Sequence, residues 1–152
     1  MAAAEVLIVK TGTANLASIK AGLARAGASA RMAESPAEIK HAAFVMVPGV
    51  GSFGAAMAEL REQGTVEALR QRFAEGRATM AICVGLQVLC HSSEENPGVE
   101  GLSVVPTEAR RFRGAAIRVP QMGWNKVSVA GHSGLLEDGY GYFANSYRLE
   151  EL

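Results

Sequence analysis

The sequence predicts an α/β fold: an open, mostly parallel sheet with helices on both faces, and short antiparallel strands in the C-terminal third. Three observations carry that expectation. Short apolar runs that suit buried parallel strands alternate with segments whose apolar residues recur every three or four positions. Glycine or proline closes several of these segments, at Gly27, Pro48 and Gly76. Past about residue 100 the apolar runs shorten and glycines separate them, which is the texture of hairpins or edge strands.

In chain order, residues 5–9 form the first apolar run, and Leu16, Ile19 and Leu23 then mark a helix that lasts until Gly27. Residues 29–32 read as a short strand, and Ser35-Pro36 opens a brief helix. A strong apolar run over 43–47 stops at Pro48-Gly49. Helical spacing returns over 53–60 and at Val66, Leu69 and Phe73. Residues 79–82 are the next strand and 85–90 the helix after it. Beyond them, 102–105, 117–119, 126–129 and 140–143 are candidate short strands. This βαβ alternation implies a parallel sheet wound on both sides. Its chemistry is expected outside the carboxyl ends of the strands, at residues 10–15, 48–54 and 83–87.

Composition bounds the function classes. The chain has 152 residues, 49% of them apolar, enough for a core in a single domain spanning 1–152; disorder and a stapled mini-protein are excluded. Fifteen Lys plus Arg balance fifteen Asp plus Glu, so no net basic field attracts nucleic acid or an anionic membrane. The uncharged stretch that begins at Ala42 is interrupted by Pro48 and three glycines, and no run of about eighteen apolar residues exists to cross a bilayer. The start, MAAAEVLIVK, carries Glu5 and lacks a positive n-region, so it reads as a strand rather than a secretory signal, and the cytoplasm is the expected compartment. Cys83 and Cys90, if carried on one helix, stand about 10 Å apart, beyond bridging distance. Both are expected to be free thiols.

Ile82-Cys83-Val84-Gly85 places a thiol at a strand-to-helix junction, where a sharp turn exposes sulfur and a helix N-terminus favours thiolate. Cys83 is the candidate nucleophile; the competing reading is a buried structural cysteine. Cys90, among Leu86, Val88 and Leu89, reads as core. The glycines of Pro48-Gly49-Val50-Gly51 permit a loop whose backbone N–H groups stabilise an oxyanion, and the loop lies beside Cys83 if the two strands are neighbours. It lacks the lysine of a phosphate-binding loop. A cysteine acyl transferase also needs a base, and none of the three histidines is a persuasive partner. His91 is expected too far along the helix, His41 at the opposite edge of the sheet, and His132 in an exposed loop. No His or Cys pair has ligand spacing, so no metal and no cofactor are expected. Pro120-Gln121-Met122-Gly123-Trp124-Asn125 reads as a loop presenting the only tryptophan, either core or an anchor for a partner.

Taken in order, GTANL from Gly12, PGVGSFGAAM from Pro48, ICVGLQVL from Ile82 and PQMGWN from Pro120, with YFANSY behind, resemble the glutaminase subunits of imidazole glycerol phosphate synthase. These are class I glutamine amidotransferases of histidine biosynthesis, and the resemblance covers essentially the whole chain. ICVGLQ alone points to the class; PGVG with PxMGWN separates this subfamily from the anthranilate and GMP synthase relatives. The resemblance implies that Cys83 attacks the carboxamide of glutamine, releasing ammonia and leaving a γ-glutamyl thioester that water hydrolyses. It assigns oxyanion stabilisation to the Val84 N–H and the backbone around Val50, in a strand that reorients. It assigns glutamine binding to Gly49, Gly51, Gln87, Asn145, Ser146 and Tyr147. Asn15, Met122, Trp124 and Asn125 match the face docked on a (β/α)8-barrel synthase subunit that receives the ammonia.

Departures accompany the resemblance. Lys10-Thr11 stands where Asp-Tyr or Asp-Thr is usual, Ala14 and Ala81 where glycine is usual, and Gln121 and Asn145 where histidine is frequent. The family's His-Pro-Glu segment, which carries its base and orienting acid, is absent from these residues, so the chain is expected to be incomplete at its C-terminus and inactive by itself. The favoured reading is a glutaminase. The alternatives are a non-catalytic module that keeps the docking residues, and a cysteine hydrolase of related topology acting on another substrate.

Overall fold

The computed structural model describes residues 3–12, 14–115, 117–131, 134 and 137–150. Its contacts divide the chain into two compact units, Met1–Arg110 with Leu149–Leu152, and Arg111–Arg148. In the first unit, β1 (Ala4–Ile8), β2 (Ala28–Met32), β3 (Phe44–Val47) and β4 (Thr79–Ala81) form a parallel sheet in the order β2-β1-β3-β4. Register aligns Val6 with Phe44, Ile8 with Met46, and Met46 with Met80.

Five helices follow the predicted order: α1 (Leu16–Arg25), α2 (Pro36–His41), α3 (Phe53–Glu62), α4 (Val66–Ala74) and α5 (Val84–Gln87). Their starts are written locally. The side chains of Asn15, Ser35 and Ser52 accept from the N–H groups of Ser18, Glu38 and Ala55, satisfying donors that a helix leaves orphaned. Because parallel crossovers are right-handed, the leftward step from β1 to β2 puts α1 on one face, and the rightward steps put α2, α3 and α4 on the other.

Alternation along the strands then builds the core. Leu7, Val9, Val45 and Val47 meet Ile39 of α2, Phe53, Met57 and Leu60 of α3, and Leu69 of α4. Each such side chain fully removed from water contributes about 1.5–3 kcal/mol before the entropy of ordering it is subtracted. On the other face Ile8 and Met46 are buried, whereas Phe44, Met80 and Ile82, at and beside the edge strand β4, are 42–59% exposed.

Among the described residues one charged side chain is buried inside this unit. Arg72 of α4 is fully buried, and all five of its N–H donors are matched. Nε donates to Thr79 Oγ1 at 2.8 Å, Nη1 to the carbonyls of Ile39 and Ala42 at 3.0 and 2.7 Å, and Nη2 to those of Ala43 and Ala78. Burial pushes the guanidinium pKa down from its usual value, Arg77 adds to the effect, and Glu75 opposes it. The cage ties the end of α2 and the starts of β3 and β4 to one side chain.

Further along, β5 (Ser92–Ser93), β6 (Glu108–Arg111) and β9 (Tyr147–Leu149) form a small sheet in that order. The second unit is dominated by the antiparallel hairpin of β7 (Gln121–Val127) and β8 (Gly139–Asn145). Several expectations need correction. The helix read over 85–90 ends at Gln87, and Cys90 lies beyond it. Residues 102–105 form no strand: the N–H of Leu102 bonds to the Val88 carbonyl, and those of Val104 and Val105 to the Leu89 carbonyl, so the run serves as a brace for the chain after α5. Residues 117–119 are not a strand either. PQMGWN is not a loop, because residues 121–127 pair along their whole length with β8. His132 lies outside the described residues.

Replacing Arg72 by Met keeps the length of the side chain but takes its donors from the carbonyls of Ile39, Ala42 and Ala43 and the Thr79 hydroxyl, and leaves the Ala78 carbonyl only the Val45 N–H. Urea unfolding should show a loss on the order of 3 kcal/mol or more, with Arg72→Lys intermediate because its three donors cannot span the same fork.

Candidate active site

The elbow between β4 and α5 is the most tightly built feature of the first unit. Cys83 has φ 54° and ψ −118°, a left-handed conformation that an L side chain adopts at a cost of order 1–3 kcal/mol and that persists only where neighbours enforce it. They do so here. The Ile82 N–H bonds to the Val47 carbonyl at 3.0 Å, the Gly85 N–H to the Ile82 carbonyl at 2.9 Å, and the N–H groups of Leu86 and Gln87 to the Cys83 carbonyl at 2.9 and 3.1 Å. A Cβ on Gly85 would overlap the Val47 carbonyl, so only glycine lets the helix start this close to β3. The Cys83 side chain is exposed. Val84 is the first residue of α5, and its N–H has no acceptor within the helix.

Pairing of β3 with β4 brings the Pro48 loop to this elbow, as expected. A Cβ on Gly49 would stand 3.0 Å from the Gly85 nitrogen and 3.1 Å from the Val84 Cβ, and Gly51 takes φ 102°. Val50 between them is 52% exposed. Gln87, the last residue of α5, is 7% exposed, and its Oε1 is buried with no hydrogen-bond partner among the described residues. A buried amide oxygen in that state costs of order 1–3 kcal/mol unless a ligand donor reaches it.

Asn145, Ser146 and Tyr147 belong to the second unit. There the Asn145 Nδ2 donates to the Tyr147 carbonyl at 3.0 Å while its Oδ1 is buried with no partner among the described residues, and the Ser146 carbonyl accepts from the Phe112 N–H. Of the residues expected to dock a partner, Asn15 caps α1 with its side chain. Met122 and Trp124 are 67% and 71% exposed on β7, and Asn125 donates to the Gly123 carbonyl at 3.1 Å. Trp124 faces Tyr142 across the hairpin in an edge-on ring contact with centroids 5.7 Å apart.

Two of the three histidines, His41 and His91, are among the described residues. His41 is exposed at the end of α2, ahead of β3. Since β3 and β4 are adjacent and parallel, His41 lies at the opposite end of the strands from Cys83, not at the opposite edge as expected. His91 is exposed beyond α5. Cys90 is fully buried, and burial pushes its thiol up to about 11. Among the described residues no cluster of His, Cys, Asp or Glu is built to hold a metal, and no helix is long and apolar enough to cross a membrane.

Three side chains around the loop were not foreseen. Thr11, buried, donates from Oγ1 to the Pro48 carbonyl at 2.6 Å. Glu95 Oε2 accepts from the Phe53 N–H at 2.7 Å and Asn96 Oδ1 from the Gly54 N–H at 2.8 Å, fixing the start of α3. In sequence, Glu95 and Asn96 are two polar residues of a turn; only the fold brings them to a helix forty residues earlier. Lys10, the first of the departures, pairs with Glu59 at 3.0 Å on the surface.

A family model described as a CobB/CobQ-like glutamine amidotransferase domain matches residues 13–119. The chain is 45% identical over 141 residues to imidazole glycerol phosphate synthase subunit HisH of Thermus thermophilus, covering 93% of this chain and 70% of that protein. It is 39% identical to the HisH of Methanothermobacter thermautotrophicus, covering 95% of this chain and 73% of that protein, and 37% identical to that of Bacillus subtilis, covering 94% and 71%. A crystal structure of a glutamine amidotransferase superposes with a TM-score of 0.75 at 21% identity over 96% of this chain and 74% of that one, which establishes the shared fold. This chain belongs to the glutamine amidotransferase family, among the HisH subunits of imidazole glycerol phosphate synthase.

Proposed function

We propose that the two units are parts of one amidotransferase domain that hydrolyses glutamine through Cys83. A general base takes the Cys83 thiol proton and the thiolate adds to the carboxamide carbon of glutamine; the C–N bond of the tetrahedral adduct breaks, and the nitrogen leaves as ammonia with the proton returned by that base. Water then attacks the γ-glutamyl thioester, releasing glutamate and the thiolate. The Val84 N–H and a donor from residues 49–51, including that of Val50, take the oxyanion. Gly49, Gly51, Gln87, Asn145, Ser146 and Tyr147 hold the substrate. The observation that carries this reading is the Cys83 elbow itself: a strained, exposed thiol set against a glycine loop, with the orphaned Gln87 oxygen beside it in sequence as an acceptor for a substrate N–H. His41 and His91 are not its base, and Cys90 is core.

Ammonia passes in this reading to a (β/α)8-barrel synthase subunit, which makes imidazole glycerol phosphate and AICAR. Asn15, Met122, Trp124 and Asn125 form the docking face, and the exposed Trp124–Tyr142 pair is its natural anchor.

Four outcomes test the reading on the full chain assembled with its synthase subunit. Cys83→Ala should lower ammonia release from glutamine by several orders of magnitude; release retained by the variant would remove Cys83 as the nucleophile, and no release from the parent assembly would assign the protein to the non-catalytic or other-substrate alternatives. Gln87→Leu should raise KM for glutamine about ten-fold, the loss of one buried hydrogen bond. Iodoacetamide should modify Cys83 and spare Cys90 in the native protein, since only the former is exposed and the latter stays a neutral thiol; peptide mass spectrometry distinguishes them. Trp124→Ala should raise the Kd for the synthase subunit more than about ten-fold while leaving the thermal midpoint nearly unchanged, and an unaltered Kd would return Trp124 to a structural role.

A further inference from the structure

In the order β2-β1-β3-β4 the chain leaves β1 toward one side and β3 toward the other, so the loops after these strands diverge around a crevice. Thr11 spans it. Its hydroxyl, on a side chain 4% exposed, donates to the Pro48 carbonyl at 2.6 Å, a short bond for a neutral pair. The Pro48–Gly49 peptide is trans, so its carbonyl and the Gly49 N–H point in opposite directions within one plane. Holding the oxygen therefore sets the direction of that N–H and the line on which the loop enters the site. The loop's other end is held as well, by the Ser52 cap on Ala55 and by Glu95 and Asn96 on the N–H groups of Phe53 and Gly54. Between the two anchors lie Gly49, packed on Val84 and Gly85, then Val50, then Gly51 with its positive φ.

We propose that Thr11 is a positioning residue for glutamine hydrolysis: its hydroxyl anchors the oxyanion loop at Pro48, so that only the two peptides beyond Gly49 remain to be adjusted when the loop meets a tetrahedral intermediate at Cys83. The inference rests on the glutaminase reading above. Without the hydroxyl, the Pro48 carbonyl keeps its burial but loses its donor, the 48–49 peptide turns toward another partner, and the donors downstream move with it. Oxyanion donors act on the transition state rather than on bound glutamine, so the loss falls on kcat.

The test compares Thr11→Val, which matches threonine in shape, with Thr11→Ser, which keeps the hydroxyl, in the full chain with its synthase subunit. Thr11→Val should lower kcat for glutamine hydrolysis about ten-fold or more with KM within about two-fold, and Thr11→Ser should recover most of it. Alkylation of Cys83 by iodoacetamide is a displacement at saturated carbon that forms no oxyanion, so its rate should be the same in both variants and the parent. Unchanged kcat in Thr11→Val overturns the proposal, and so does a fall in alkylation parallel to the fall in kcat, which would mark general damage to the site. If Thr11→Val does not fold, Thr11→Ala against Thr11→Ser carries the same comparison. Cys83→Ser, measured beside them, separates the two levels: activity that survives it defeats the glutaminase reading itself, whatever Thr11 does.

Discussion

Four main-chain carbonyls and a hydroxyl converge on one guanidinium at the starts of β3 and β4, and the rest of the first unit is arranged around that cage. Strands of four and three residues carry too few ladder bonds to set their own register firmly. Arg72 sets it from outside, by binding Ala42 and Ala43 ahead of one strand and Ala78 and Thr79 at the head of the other. No carboxylate among the described residues neutralises it; the dipoles of the carbonyls do that work at the cost of desolvating the charge. About 12 Å away, at the other ends of the same two strands, the register becomes chemistry, because Pro48 and Cys83 leave the sheet side by side.

At that end, closeness depends on missing side chains. Gly85 lets the helix begin against the Val47 carbonyl, and Gly49 lets the loop lie on Val84. The two cysteines show how far environment decides the use of one residue type. Seven positions separate them, yet Cys83 is exposed on a strained turn at a helix start while Cys90 is sealed and held protonated. One has the surroundings of a nucleophile and the other those of a small apolar side chain.

The two central strands β1 and β3 were legible as continuous apolar runs, and the starts of α1, α2 and α3 by caps that are local. The elbow was legible for a related reason, since Cys83 falls between a strand ending at Ala81 and a helix starting at Val84. What escaped the sequence depended on distant pairing. Arg72 reads as a charge on an exposed helix face, and nothing near it announces five acceptors drawn from three elements. Gly123 and Asn125 look like turn residues, but opposite Phe143 and Gly141 they extend a strand. The apolar run over 102–105 had every local mark of a strand, yet its N–H groups are taken by the carbonyls of Val88 and Leu89. Thr11 and Glu95 carry no local signature at all, because the partners of each lie about forty residues away in the chain.

The exposure of Trp124 has an optical consequence. It is the chain's single tryptophan, so indole emission reports from one position on β7 and from nowhere in the first unit. Set largely in water with Tyr142 edge-on at 5.7 Å, it should emit as a solvated indole and shift toward the blue when another surface covers it. The same placement makes the Arg72 cage and its sheet silent in that channel. Covering of β7 by another surface can thus be followed by its fluorescence with no contribution from the first unit.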